Sequence, residues 1–170
     1  MNTKKIVTLA LFTALALILS LVESALPPLA PVPGIKLGLA NIITLIVLLN
    51  YTPRDAFLVL LVRVLLSSLF TGQAIYLLYS LAGALLCFLA MCIVNKLLQK
   101  HFIFLTSIIG SCFHNIGQIL MAIFLTGTPG VAAYLPILLI SGIVTGLFTG
   151  LCAHYAQKYL SPIWEKNLKN

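Results

Sequence analysis

The stretch FIFLTSIIGSCFHNIGQILMAIFL, residues 102–125, decides the class of this fold. Its apolar run exceeds the roughly 20 residues that a helix needs to cross a bilayer, so it predicts a transmembrane helix. His114, Asn115 and Gln118 interrupt the run near its centre. Because a polar group without a partner is costly in hydrocarbon, these side chains are expected to serve a ligand or a neighbouring helix.

The whole chain has the composition of an integral membrane protein. Of its 170 residues, 61% are hydrophobic and 8% are charged, which excludes a soluble globular protein. Four cysteines lie inside apolar runs without a CxxC pair, so we interpret them as packing residues and predict neither a metal nor a cofactor. The formal charge of +7 comes from basic residues that flank apolar segments, which favours contact with membrane lipids over nucleic acid.

Proline, glycine and charged residues divide the chain into apolar segments. The simplest prediction is an all-α, six-transmembrane-helix bundle that forms a single domain over residues 1–170. The second segment is short and contains Asn41, so we expect a short, tilted or partly buried helix there. The six predicted helices cover about residues 5–26, 36–50, 55–71, 74–97, 102–125 and 133–156.

The distribution of basic residues predicts the orientation. With the N-terminus inside, the outer loops hold only Lys36, whereas Arg63 lies within the third segment and the other basic residues are cytoplasmic. Because basic loops remain on the cytoplasmic side, this predicts a multi-pass protein of the cell membrane with both termini in the cytoplasm. The first segment is expected to remain as a helix, since its apolar run is longer than that of a cleaved signal.

The scarcity of carboxylates argues against catalysis by this chain alone. Its acidic residues are Glu23, Asp55 and Glu165, which cannot form a paired-aspartate magnesium site. His114 has no carboxylate except Glu23 to orient it, and no P-loop motif is present. We therefore predict that the chain is not an enzyme, while an accessory role for an enzyme stays open.

Polar residues gather in the outer half of the predicted bundle. Glu23 lies near the outer end of the first segment and Gln73 at the outer end of the third. Most members of the set carry hydrogen-bond donors, so they predict an outward-facing cavity for a small ligand with acceptor oxygens or negative charge. The predicted substrate-binding residues are Lys36, Asn41, Arg63, His114, Asn115 and Gln118.

The same residues allow a structural interpretation. His114, Asn115 and Gln118 are also suited to hydrogen bonds between helices, worth about 0.6 to 2 kcal/mol each. Arg63 could extend towards the interface, bond to carbonyl groups or pair with Glu23. Lys36, beside a loop of proline and glycine, could be an ordinary interfacial lysine.

Two rows of small residues predict close helix contacts. Gly142, Gly146 and Gly150 are spaced four apart and are expected to pack inside the bundle. Ala10 and Ala14 share a face of the first segment and could meet a partner helix of another subunit.

PGIKLGLANIITLIVL (33–48) and SCFHNIGQILMAIFLTGTPGVAAYLPILLISGIVTGLFTG (111–150) resemble a family of small membrane proteins. The family is catalogued both as heptaprenyl diphosphate synthase component I and as Gx transporter. It is in turn similar to the S-components of energy-coupling-factor vitamin transporters. That second resemblance implies an outer ligand pocket and a contact with a transmembrane coupling subunit through Ala10 and Ala14, with separate ATPases.

Three functions follow as hypotheses. The first is an S-component-like substrate-binding protein that takes up a small ligand from outside, with the PPLAPVPG loop (27–34) as a lid. The alternative is a non-catalytic membrane subunit serving polyprenyl diphosphate or quinone biosynthesis, or a membrane redox assembly. An ion or proton pathway is the third, although such relays usually chain several titratable groups that are scarce here.

Overall fold

The structure, a computed structural model, describes residues 3–25, 38–72, 74–98 and 102–168, with side chains as far as residue 159. Every regular element in these ranges is helical, which confirms the predicted all-α class. The elements are α1 (Thr3–Ala25), α2 (Asn41–Asn50), α3 (Pro53–Thr71), α4 (Ala74–Leu97), α5 (Ile103–Thr126), a 3-10 helix (Pro129–Tyr134) and α6 (Leu135–Leu168).

Local sequence explains where α3 begins and ends. Thr52 and Asp55 form a reciprocal capping box, and Pro53 occupies the first helical position, where its missing N–H is not needed. Gly72 ends the helix in the left-handed conformation, with φ of 67°, which glycine adopts without strain. Lys5 forms a 2.8 Å ion pair with Asp55, so the first turns of α1 and α3 are held together.

Within the described ranges, four stretches are long and apolar enough to cross a bilayer: α1, α4, α5 and the continuous stretch Pro129–Tyr159. Large apolar side chains such as Phe124, Leu69 and Ile140 are exposed on the outside of the bundle. An apolar exterior suits a hydrocarbon solvent, so these features indicate a membrane protein.

The second predicted helix differs most from its expected form. It begins at Asn41 instead of about residue 36, and its 10 residues extend only about 15 Å, half of the roughly 30 Å hydrocarbon core. Residues 41–49 are all buried, and α2 contacts each of the other five α helices. Because α2 is a central element surrounded by helices, the six-crossing count stays a prediction.

The last helix is longer than predicted. α6 continues to Leu168 instead of ending near residue 156. The sequence between His154 and Leu168 contains no glycine that would end the helix, and Pro162 removes one backbone N–H without ending it. A helix of 34 residues, about 51 Å long, exceeds the thickness of a bilayer core.

Polar side chains concentrate in the interior. Arg63, Asn41 and Glu23 are each at most 5% exposed, although charged residues are rarely fully buried without a partner. Membrane proteins usually keep such groups inside the bundle or around a cavity. The interior of this bundle therefore contains the candidate site.

Candidate functional site

The centre of the site is a contact between α2 and α3. Nη2 of Arg63 donates a hydrogen bond to Oδ1 of Asn41 over 3.4 Å. Asn41 is the first residue of α2, and Arg63 lies at the middle of α3. The structure thus brings together two predicted binding residues that are 22 positions apart in the sequence.

Glu23 completes this part of the site from α1. One of its carboxylate oxygens accepts a hydrogen bond from the backbone N–H of Gly38, and the other accepts one from Leu39 N–H over 3.1 Å. Glu23 also interacts electrostatically with Arg63. The sequence places Glu23 near the outer end of the first segment, and Glu23 is not among the predicted binding residues.

The imidazole of His114 lies between two glycines. A Cβ placed on Gly38 would lie 3.1 Å from Cδ2 of His114, and one placed on Gly83 would lie 3.0 Å from its Cε1. The same position on Gly83 is 2.9 Å from Cγ of Gln118. His114 therefore contacts the segment before α2 on one side and α4 on the other, and Gln118 also faces α4.

Asn115 points away from this group, towards α6. Its Nδ2 donates a 2.5 Å hydrogen bond to the carbonyl oxygen of Leu138, and it lies 2.9 Å from the position of a Cβ on Gly142. This geometry is that of a hydrogen bond between packed helices. The structure therefore separates Asn115 from the pair formed by Arg63 and Asn41.

The glycine row of α6 lies against α5. A Cβ on Gly146 would be 2.6 Å from Cα of Ile108, and one on Gly150 would be 3.1 Å from Cα of Phe104. A hydrogen bond of 2.5 Å between Ser107 and Thr149 joins the same two helices. Small residues let the two backbones approach, and the paired hydroxyls satisfy each other inside the contact.

The other predicted features are on the surface of α1 or outside the described residues. Ala10 and Ala14 are exposed on the surface of α1. Lys36 and the PPLAPVPG loop lie outside the described residues, as does Gln73. The described site therefore consists of Glu23, the Gly38 and Leu39 backbone, Asn41, Arg63, His114 and Gln118.

Not every hydrogen-bond donor of the described site has an acceptor. Among the described residues, Nε of Arg63 and Nδ2 of Asn41 have no hydrogen-bond partner. A buried donor without an acceptor costs roughly 1 to 3 kcal/mol, and more when the group is charged. Two such donors on adjoining side chains suit an acceptor-rich group, and an oxyanion would also balance the guanidinium charge. Three or more possible metal ligands do not cluster anywhere in the described part of the chain.

The model of one protein family, described as heptaprenyl diphosphate synthase component I, matches residues 12–156. The chain belongs to this family. The matched region contains Glu23, Asn41, Arg63, His114 and Gln118, so the candidate site lies within the part that defines the heptaprenyl diphosphate synthase component I family.

Two other comparisons gave no match. No curated protein and no solved structure matches the chain. The family match also begins after Ala10 and includes Ala14, so it covers only half of the exposed alanine pair.

Proposed function

We propose that this chain is a non-catalytic membrane component of an assembly that makes or handles polyprenyl diphosphates. The observation that carries the proposal is the pair of buried donors, Nε of Arg63 and Nδ2 of Asn41, which lack acceptors among the described residues. A diphosphate supplies acceptor oxygens and negative charge together. The family description, which names a component of heptaprenyl diphosphate synthase, supports that class of ligand.

The carboxylates support a role that leaves the chemistry to another subunit. Asp55 is used by the capping box of α3 and by Lys5, and Glu23 by the backbone before α2. Chain elongation of prenyl diphosphates requires magnesium held by paired carboxylates, and Glu165 alone remains. The proposed role is therefore to hold a polyprenyl diphosphate in the membrane for a partner enzyme.

Binding of heptaprenyl diphosphate to the purified protein in detergent tests this function. We expect saturable binding of heptaprenyl diphosphate, weak binding of the uncharged alcohol heptaprenol, and a loss of about tenfold to a hundredfold in affinity for Arg63→Gln. One hydrogen bond to a charged group is worth about 1.5 to 3 kcal/mol, which corresponds to that range. Arg54→Gln, at an exposed position, is the matched control and is expected to bind normally. Equal affinity for the diphosphate and the alcohol would refute the proposal.

A second candidate function is that of an S-component-like, substrate-binding subunit of a transporter, which is the first hypothesis from the sequence. The observation that favours it is the exposure of Ala10 and Ala14 on α1, where a helix of another protein could approach closely. The two functions share the site and differ in the partner. The proteins that copurify through α1 therefore distinguish a prenyl diphosphate synthase from a transmembrane coupling subunit.

A further inference from the structure

The N-terminus of α2 is already occupied by an anion from the chain itself. Both carboxylate oxygens of Glu23 accept backbone N–H groups, those of Gly38 and Leu39, immediately before the helix begins. Free N–H groups and the positive end of the helix dipole make such a terminus a binding place for negative charge. Glu23 is 5% exposed, so this arrangement is inside the protein.

A second observation points to a ligand at this terminus. Asn41, the first residue of α2, is 2% exposed, and its Nδ2 has no hydrogen-bond partner among the described residues. That nitrogen lies 2.7 Å from the position that a Cβ on Gly38 would take, so it is directed to the backbone held by Glu23. Nε of Arg63 is likewise without a partner in the described chain.

The two anions would compete for one place. Glu23 accepts the backbone donors and interacts with the charge of Arg63. Nδ2 of Asn41 and Nε of Arg63 have no partner among the described residues. An incoming diphosphate needs the same charge and the same donors. Like charges placed side by side cost several kcal/mol, so the carboxylate and the diphosphate cannot both occupy this terminus favourably.

We infer that Glu23 is a resident substitute for the anionic group of the ligand, which exchanges with it at the N-terminus of α2. The inference rests on the proposed function for the class of ligand, a phosphate or diphosphate ester. Before the ligand enters, Glu23 attracts the Arg63 guanidinium and accepts the Gly38 and Leu39 N–H groups. When the ligand enters, its oxygens take over these donors together with Asn41 Nδ2 and Arg63 Nε, and the carboxylate leaves. No bond is made or broken in this exchange.

The test measures the affinity of the full-length protein in detergent for inorganic diphosphate, by calorimetry. Glu23→Gln removes the competing charge and keeps an oxygen that can accept one N–H bond, so we expect binding about tenfold tighter than in the wild type. Glu23→Asp keeps the charge and is expected to stay within about twofold of the wild type. Asp55→Asn is the control and should leave the affinity unchanged, because Asp55 pairs with Lys5, which lies about 27 Å before Glu23 along α1.

The double variant Glu23→Gln with Arg63→Gln identifies the attracting group. It is expected to lose the gain in affinity, because the guanidinium that attracts the diphosphate is absent. If Glu23→Gln binds inorganic diphosphate no more tightly than the wild type, or if the double variant keeps the full gain, the exchange is refuted.

A spectroscopic measurement does not depend on any variant at Glu23. Infrared difference spectra of the wild type, recorded with and without inorganic diphosphate, should show a shifted carboxylate band that persists in Asp55→Asn. An unchanged carboxylate band at saturating diphosphate would overturn the inference.

Binding measurements with two further ligands, heptaprenyl diphosphate and phosphatidic acid, distinguish a failure of this inference from a failure of the proposed function. Tight binding of inorganic diphosphate by Glu23→Gln, without binding of heptaprenyl diphosphate by any variant, would support the exchange and refute the isoprenoid ligand. Binding of heptaprenyl diphosphate that is insensitive to Glu23→Gln would do the opposite. A gain that is equal for phosphatidic acid in mixed micelles would support the exchange and assign the anion to a lipid headgroup.

Discussion

Neighbouring polar residues of α5 face different surroundings. His114 lies between Gly38 and Gly83, whereas the amide of Asn115 bonds to the Leu138 carbonyl of α6. One residue of a helix turns by about 100°, so adjacent side chains contact different helices. The HN pair thus contains one residue of the candidate site and one residue that joins helices.

This difference predicts opposite effects of two alanine variants. Asn115→Ala removes a hydrogen bond between helices and should lower the free energy of unfolding by about 0.6 to 2 kcal/mol, while ligand affinity stays unchanged. His114→Ala should weaken ligand binding with a smaller loss of stability, since a group lining a site can be replaced by water. Thermal unfolding in detergent, with and without heptaprenyl diphosphate, measures both quantities. Early unfolding of His114→Ala with a normal ligand-induced shift would assign it to packing as well.

At the scale of elements, two rows of small residues have different environments. The glycines of α6 are in contact with the backbone of α5, whereas the alanines of α1 are exposed. Spacing of four residues is the same in both rows and so does not distinguish an internal contact from an external one. The packing of the other helices makes that distinction.

The exposed alanine row predicts a contact with a partner. The double variant Ala10→Leu with Ala14→Leu should fold normally, because both positions are exposed, and should lose association with a partner helix that needs small side chains. Ala16→Leu is the contrasting variant: Ala16 is fully buried, so its enlargement should lower thermal stability. Affinity purification from membranes followed by mass spectrometry provides the measurement. Recovery of the same partners by the double variant would contradict the contact.

At the scale of the whole molecule, the number of crossings depends on α2 and α3. α2 is too short to cross a bilayer alone, and α3 carries Arg63 at its centre, where the site supplies its partners. A buried charge with a partner is compatible with a helix at membrane depth. The predicted orientation, with both termini in the cytoplasm, requires an even number of crossings.

Accessibility of single cysteines tests this orientation. In a variant whose four native cysteines are replaced by alanine, Pro129→Cys should react with an impermeant thiol reagent added outside intact cells. Arg54→Cys should react only after the membrane is opened, because basic loops remain cytoplasmic. Both positions are exposed, so burial does not limit the reaction. Labelling of Pro129→Cys from the cytoplasmic side alone would exclude the six-crossing arrangement.

The helical class and most helix boundaries follow from the sequence alone. Long apolar runs, bounded by glycine, proline or charged residues, place α3, α4 and α5 within about two residues of the structure. These features are local, since each helix bonds its own backbone and its length must match the bilayer. The polar residues were also recognisable as unusual, because Asn41, Arg63 and His114 stand in apolar surroundings.

Only the tertiary structure decided which of these polar residues meet. The position of each residue along its apolar segment predicts that Asn115 lies near Arg63. In the structure, the rotation of α5 directs the amide of Asn115 to α6. Spacing gave no sign that Gly83 and Gly38 flank His114, or that Glu23 binds the backbone 15 residues later. The burial of α2 likewise results from five helices packing around it. Such contacts join residues far apart in the chain and depend on how each helix is rotated and packed. A single sequence indicates the composition of each helix and the depth of its residues, but not its rotation or crossing angles.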